Sequence, residues 1–460
     1  MQTYKNSLVA VLGLSVEGVD SVRFFHAEGA RIWCCDRRVK EELGDTYALL
    51  QPLAEGFQLG KGYLDNLSRF DLVVRTPGMS LRLPELVSLR KHRKEITSQT
   101  KLFFTLCKAA IIGVTGTKGK GTTSTLIAQM LEADGKTVWL GGNVGTPVLS
   151  KVRTIKQSDT VVLELSSFQL EDCRQSPHIA VILKTTQEHL ANQDTLASNF
   201  HETRETYVKA KKSIVRYQKK TDVAIINADD PTSLSFAAET PARILYFSRS
   251  KQTLDAHVAD DTVYLNIENK PQKICSLGEI KLRGIHNLDN IAAASLAARA
   301  SGVSSDAIRR AAMAFEGLEH RLETVRDVHG VLYVNDSFST VPETAIAAIE
   351  SFSQPMILIA GGSEKGSDFT ELGKEVASHP IKVLIAIGRM TDRIVDAVCA
   401  AGYTGRIITG ARSMHEIVSF ASGEAVSGDV VLLSPACASF DMFKNYKERG
   451  KLFKHEVSLL

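Results

Sequence analysis

Short apolar runs alternate with segments of helical spacing along the whole chain. The runs Leu8–Leu12, Arg31–Cys35, Leu72–Arg75, Ala110–Val114, Val161–Leu165, Ile179–Leu183, Val223–Asn227, Met356–Ala360, Val383–Ile387 and Val430–Leu433 predict strands. Stretches such as Thr122–Ala133 and Ile291–Ala300 between them repeat apolar residues at helical intervals, and Phe443–Val457 predicts a charged closing helix. Strands separated by helices imply crossover connections and therefore an α/β protein with mainly parallel sheets. No short-period repeat or low-complexity segment interrupts the pattern. Three sections suggest themselves, residues 1–98, 99–318 and 319–460, which fits a length too great for one core.

Composition narrows the class. Apolar residues make up 44% and charged residues 23%, as in a soluble globular protein. A net charge of +3 from 55 basic and 52 acidic residues gives no general basic surface, so nucleic acid is not an expected partner. Seven cysteines without metal-like spacing, Cys34 and Cys35 adjacent and the rest scattered, read as buried apolar residues in a reducing compartment. The Leu8–Leu14 run is interrupted by Gly13 and followed by Glu17 and Asp20, a poor signal peptide and a better first strand. No segment approaches the ~20 apolar residues that span a bilayer, and a cytoplasmic location is expected.

The chemistry concentrates after the fourth strand. Residues 110–124 read as an apolar strand, a turn Thr115-Gly-Thr-Lys-Gly-Lys120, and a helix start. Such a turn offers backbone N–H groups at the positive end of a helix, where phosphate oxygens bind, and Lys120 adds a cation for the β- and γ-phosphates. The general phosphate-loop pattern wants Gly where Val114 stands and a hydroxyl where Gly121 stands; Thr122 is the nearest hydroxyl for a metal ion. Glu164, ending the strand after the loop, is placed to bind Mg²⁺. His189 follows the strand Ile179–Leu183 on the side where such sheets bind ligands. Lys211 lies in a basic helix, where charge alone reads as a solvated face. In the first section, Gly13 and Gly18 with an acid, Asp36, after the next strand form a nucleotide-like arrangement, which an ordinary α/β turn matches as well.

Together these residues resemble a known family. The loop ending in Lys120, Leu163-Glu-Leu-Ser-Ser-Phe-Gln-Leu170, His189, Gly284-Ile-His-Asn287 with Asn290, His320-Arg321, Asn335-Asp-Ser337 and Ser434-Pro-Ala-Cys-Ala-Ser439 occur in the order found in the Mur ligases. These are ATP-dependent amide ligases of peptidoglycan synthesis, and the chain is most similar to the branch that adds D-glutamate to UDP-N-acetylmuramoyl-L-alanine. The resemblance spans essentially all 460 residues. It implies a Rossmann-like UDP-sugar domain, a central ATPase-type domain and a C-terminal Rossmann-like domain. It also implies a cytoplasmic monomer that uses ATP and Mg²⁺ and takes part in cell-wall growth and division.

By resemblance, Gly116, Thr117, Lys118, Gly119, Lys120, Gly121 and Thr122 hold the ATP phosphates, with Asn290, Arg321 and Asp336 as further ATP contacts. Thr122, Glu164 and His189 face the metal, joined by Lys211 if it is carbamylated. Lys120, Glu164, His189 and Lys211 carry the catalysis. Ser15, Asp36, Arg37, Gly78 and Asn143 match UDP-sugar positions, and Thr340, Lys365, Ser439, Phe440 and Tyr446 match the glutamate end. Three positions depart from the pattern. Gly121 replaces a hydroxyl, as in folylpolyglutamate synthase. Phe338 replaces a lysine in Asp336-Ser-Phe-Ser-Thr340, and Ala191 replaces the second acid after His189. The altered 336–342 segment leaves an L-glutamate-adding ligase as the alternative. A folylpolyglutamate synthase-like ligase and an inactive Mur-like binding protein are remoter alternatives.

Overall fold

The computed structural model describes residues 4–142, 147–186, 199–268, 270–363 and 366–460, which form three sheets. The first contains β1 (Leu8–Leu12), β2 (Arg31–Asp36), β3 (Gly56–Leu59), β4 (Leu72–Arg75) and β5 (Glu95–Ser98), parallel throughout in the order β3-β2-β1-β4-β5. The second contains β6 (Ala110–Thr115), β7 (Val138–Gly142), β8 (Thr160–Glu164), β9 (Ile179–Ile182), β10 (Val223–Asn227), β11 (Arg243–Ser248), β12 (Ala256–Ala259), β13 (Thr262–Ile267) and β14 (Lys270–Ser276). Their order is β14-β13-β12-β11-β10-β9-β6-β8-β7, parallel except where β13 pairs with β12 and β14. The third contains β15 (Glu323–Val328), β16 (Val331–Asn335), β17 (Met356–Gly361), β18 (Ile381–Ile387), β19 (Arg406–Ile408) and β20 (Val430–Leu433), ordered β15-β16-β20-β17-β18-β19 with only β15 antiparallel.

The predicted apolar runs are the inner strands. Val9–Leu12, Leu72–Arg75, Ala224–Asn227 and Val430–Leu433 are buried at every position, as expected where helices cover both faces of a parallel sheet. Each buried Val, Leu or Ile contributes roughly 1.5–3 kcal/mol, so these strands hold their registers strongly.

The sheets share a device that positions ligands. In each, one strand lies between two that are not both its neighbours in sequence: β1 between β2 and β4, β6 between β8 and β9, and β20 between β16 and β17. In sheets of this kind ligands bind beyond the C-terminal ends of the strands where the order reverses. The residues expected at the site follow these strand ends.

The chain divides into two compact units. One holds the first two sheets up to Ala314, apart from Lys281–Gly284; the other holds Lys281–Gly284 and the chain from Phe315 onward. No helix among the described residues is long and apolar enough to cross a membrane. Five cysteines are buried as expected, but Cys107 is half-buried and Cys399 is exposed. Cys399 lies in the last turn of the Thr391–Ala400 helix, off the buried stripe of Ile394 and Val398. The closing helix starts at Tyr446 rather than Phe443, because the Asn445 side chain accepts from the Lys447 and Glu448 amides and caps it there.

Candidate active site

The phosphate loop is built on glycines that cannot be exchanged freely. Gly119 has φ +86° and caps the Lys120–Ala133 helix; a Cβ there would lie 2.3 Å from Asn290 Oδ1. Gly116 has φ +149°, and a Cβ there would meet Leu183 at 2.7 Å. Thr117 N donates to Lys184 O at 2.9 Å, and Thr186 N donates to Thr117 Oγ1 at 2.9 Å, tying the loop to the segment after β9. Lys120 Nζ folds back onto the carbonyls of Thr117 (2.8 Å) and Gly116 (3.2 Å). Asn290, buried in the His286–Ala300 helix, accepts from Thr123 Oγ1 at 3.3 Å and donates to Asn287 Oδ1 at 2.9 Å. Lys118 is exposed, Gly121 is buried and Thr122 is half-buried in the first helical turn.

Lys211 is not on a solvated face. It is 1% exposed, and its Nζ donates to Gly116 O at 2.8 Å and Thr115 Oγ1 at 3.4 Å. Its helix, Arg204–Arg216, buries Tyr207, Ala210, Lys211, Ile214 and Val215 along one stripe, so tertiary packing overrides the reading from charge. The ammonium also lies 4.7 Å from the Tyr207 ring centroid, and Tyr207 OH is 3.0 Å from Thr117 Oγ1. Glu164 is 2% exposed at the end of β8, in register with Val114 of β6 and Gly142 of β7. His201, which no sequence pattern marked, is buried, stacks on Phe168 (4.7 Å, 4°) and lies 3.0 Å from Ser167 Oγ. His189, Asn143 and Lys365 lie outside the described residues.

In the first sheet, both glycines of the β1 turn are required. Gly13 has φ +84° and lies against Thr76 Oγ1, while a Cβ on Gly18 would fall 1.9 Å from Gly13 O. Asp36 accepts from Leu14 N (2.7 Å) and from Arg38 N (2.9 Å) and Nη2 (2.9 Å). Burial raises its carboxyl, and these donors outweigh burial and hold it below the ordinary value. The pairing partner is thus Arg38, while Arg37, Ser15 and Gly78 are exposed around the turn. Gln169 Nε2 donates to Glu17 Oε1 at 2.7 Å, and buried Arg75, at the end of β4, donates to Phe168 O at 3.2 Å and pairs with Asp172 at 2.8 Å.

In the second unit Asp336 follows β16, with Thr340 four residues on, and Ser439 and Tyr446 follow β20. Asp336 is buried and accepts from Ser339 Oγ (2.5 Å), Ser434 Oγ (2.8 Å) and Leu322 N (3.1 Å). Burial pushes its carboxyl up to about 6 despite these donors and Arg321. The Arg321 guanidinium lies 3.6 Å from the Phe338 ring centroid, and Phe338 meets Tyr446 edge to face at 5.1 Å. Phe440 is 73% exposed and Ser439 is buried.

The raised Asp336 carboxyl has a consequence for stability. Folded at about 6 against an ordinary 3.8, it binds its proton more tightly when folded, so stability rises as pH falls through 6 and is reduced above it. Asp336→Asn is therefore expected to melt as high as the wild type or ~2–4 °C higher at pH 8, the difference shrinking as pH falls from about 6 and vanishing only below the ordinary value of 3.8. Thermal melts across this pH range check this; a variant that melts lower at pH 8 contradicts it.

Three family domains match in order: "Mur ligase MurD-like, N-terminal domain" over residues 7–98, "Mur ligase middle domain" over 114–298, and "Mur ligase, glutamate ligase domain" over 320–437. A Symbiobacterium thermophilum protein named UDP-N-acetylmuramoylalanine--D-glutamate ligase is 42% identical over 454 residues, 98% of each chain. Among solved structures, UDP-N-acetylmuramate-alanine ligase MurC of Thermotoga maritima covers 99% of this chain and 100% of its own, at TM-score 0.62 and 18% identity. The MurF ligase of Thermotoga maritima in complex with ADP covers 100% of this chain and 96% of its own, at TM-score 0.56 and 18% identity. The two structures speak to the three-domain α/β fold.

Proposed function

The chain belongs to the Mur ligase family, and we propose that it joins D-glutamate to UDP-N-acetylmuramoyl-L-alanine in an ATP-dependent step of cytoplasmic peptidoglycan precursor synthesis. One observation carries the chemistry: Lys120 and Lys211, from different helices, both donate to the Gly116 carbonyl of the glycine loop. Cations gathered on a loop of backbone amides suit a substrate with several phosphate charges. The name of the relative from Symbiobacterium thermophilum supports the choice of substrates.

The reaction accounts for the residue types. A carboxylate is a poor acyl donor, so the γ-phosphoryl group of ATP is first transferred to the alanyl carboxylate, releasing ADP. The glutamate amine then attacks the acyl phosphate, a proton leaves the nitrogen, and phosphate departs to give the amide. The residues 116–122 would hold the phosphates, with Asn290, Arg321 and Asp336 as further ATP contacts. Ser15, Asp36, Arg37, Gly78 and Asn143 would hold the UDP-sugar, and Thr340, Lys365, Ser439, Phe440 and Tyr446 the glutamate. Phe338 stands where the family carries a cation, but the Arg321 guanidinium over its ring keeps positive charge at this turn. The domains follow as residues 1–98, 99–318 and 319–460.

Mg²⁺ fits the donor chemistry here. Glu164, buried beside the loop strand, and the half-buried Thr122 are hard oxygen donors of the kind it takes. His189 would join them, and Lys211 would do so only as a carbamate, since an ammonium offers no lone pair. When bound, the ion would screen the γ-phosphate from the attacking carboxylate.

A ligase assay offering each glutamate enantiomer tests the proposal. Turnover with D-glutamate is expected at least ~10²-fold above L-glutamate, a ratio within reach of a site that pairs polar groups with one enantiomer. A preference for L-glutamate transfers the chain to the L-adding alternative. ATP hydrolysis that UDP-N-acetylmuramoyl-L-alanine does not stimulate would sink both.

A further inference from the structure

The most deeply buried cation of the second unit is Arg449, in the Tyr446–Ser458 helix at 0% exposure. All three nitrogens of its guanidinium donate to two turns. Nε donates to Ser337 Oγ at 3.0 Å and Nη2 to Ser337 O at 2.9 Å; Nη1 and Nη2 donate to Cys437 O at 3.2 and 3.1 Å. Ser337 follows Asp336 at the end of β16, and Cys437 precedes Ser439 after β20. Ser337 Oγ in turn donates to Tyr446 O at 2.8 Å, closing the link back to the first turn of the same helix.

The next residue shows how close this docking is. A Cβ on Gly450 would lie 2.3 Å from His320 Nδ1, and Asn335 Nδ2 reaches that nitrogen at 2.9 Å and Gly450 O at 3.4 Å. Arg449-Gly450 therefore meets three segments, at His320, at Asn335 and Ser337, and at Cys437. Ala436 is itself held at φ +58°, a conformation an alanine keeps only when its surroundings impose it. Burying a guanidinium among carbonyls and a hydroxyl is costly, and a lone packing role would be filled better by an apolar side chain. The planar fork is what a lysine or an apolar residue cannot supply, because it spans two turns at once. Burial lowers the guanidinium to about 10, which leaves it charged at neutral pH.

We propose that Arg449 is a positioning residue for glutamate addition, clamping the Asp336 turn to the Ser439 turn so that the groups that receive the amino acid keep one spacing. The proposal rests on the glutamate-end assignment made above. Arg449 touches no reacting atom in it; it acts through Ser337 and Cys437.

Arg449→Lys keeps the charge and loses the fork, and Ser337→Ala removes the hydroxyl that accepts from Arg449 Nε and donates to Tyr446 O while keeping the Ser337 carbonyl contact. Both are compared with the wild type in full-length protein. For Arg449→Lys, KM for glutamate is expected to rise at least ~10-fold, with KM for UDP-N-acetylmuramoyl-L-alanine changing less than ~2-fold; Ser337→Ala moves the same way by a smaller factor. A merely structural role would lower the active fraction, reducing kcat while leaving both KM values in place. If Arg449→Lys does not fold, Ser337→Ala alone decides. Hydrogen exchange at the amides of 336–339 and 437–440 supplies an activity-independent arm, and faster exchange in both turns is expected in the variants. Unchanged glutamate KM, KM values rising together, or unchanged exchange overturns the clamp. A wild type that does not turn over glutamate sinks the ligase assignment instead, while the exchange arm still judges the clamp.

Discussion

Replacing Lys120 by alanine is expected to abolish ligase turnover, with a loss of at least ~10²–10³-fold in kcat. Phosphoryl transfer leaves little covalent work for the protein, so most of the acceleration comes from charge fixed in place before the reaction. Lys120 is such a charge. Its Nζ is held by the Thr117 and Gly116 carbonyls at 2.8 and 3.2 Å, on a loop fixed by Gly119 against Asn290 and by Thr117 against Lys184 and Thr186. The ammonium is half-buried and, among the described residues, bonded only to its own loop, so its removal should change the melting temperature little. ADP release measured with UDP-N-acetylmuramoyl-L-alanine and glutamate present checks the loss. Activity within a factor of a few of the wild type, in a variant that melts normally, would remove the loop from the chemistry. Lys120→Arg should rescue poorly, because a larger planar cation cannot occupy the same fold of the loop.

What could be read from the sequence depended on how local the cause was. Leu8–Leu12, Leu72–Arg75, Val223–Asn227 and Val430–Leu433 have the bounds their apolar runs predict. The run at Val161–Leu165 shifts by one to Thr160–Glu164, with Glu164 paired to Val114 inside the sheet despite its charge. The antiparallel strands β13 and β14 escaped the pattern. Lys270-Pro-Gln-Lys273 carries no apolar run, and it is an exposed sheet edge, where a proline is tolerated. The glycine loop was legible because its glycines serve their own turn. Lys211 was marked only by the resemblance and Arg449 not at all, since each owes its surroundings to residues far away in sequence. A signal was nevertheless present in both helices. Tyr207, Ala210, Lys211, Ile214 and Val215 share one stripe, as do Arg449, Gly450, Phe453 and Val457. A cation on the apolar stripe of an amphipathic helix is not a solvated charge, and it marks a place where the core has been given a polar task. His201 had no such signal, since its partners Phe168 and Ser167 belong to another segment.

The same stripe makes Lys211→Ala the second large effect, with turnover expected to fall at least ~10²-fold. Two explanations of that loss make different predictions. As an ammonium, Lys211 holds the Gly116 carbonyl and Thr115 Oγ1 and braces the loop from beneath, with Tyr207 and Thr117 as the remaining side of the brace. As a carbamate, it would instead supply oxygen to the metal side of the site, where Glu164 is proposed as a further ligand. Small molecules that enter the cavity left by the substitution separate the two. Partial recovery with formate or acetate, and none with chloride at equal ionic strength, is the expected result and supports the carbamate. Recovery with methylammonium in place of the carboxylates would make the cation itself the active form. Either rescue also shows that the variant is folded, since a collapsed site has no cavity to fill. Full activity without any addition would return Lys211 to a packing role, leaving Lys120 as the single loop cation that the reaction needs.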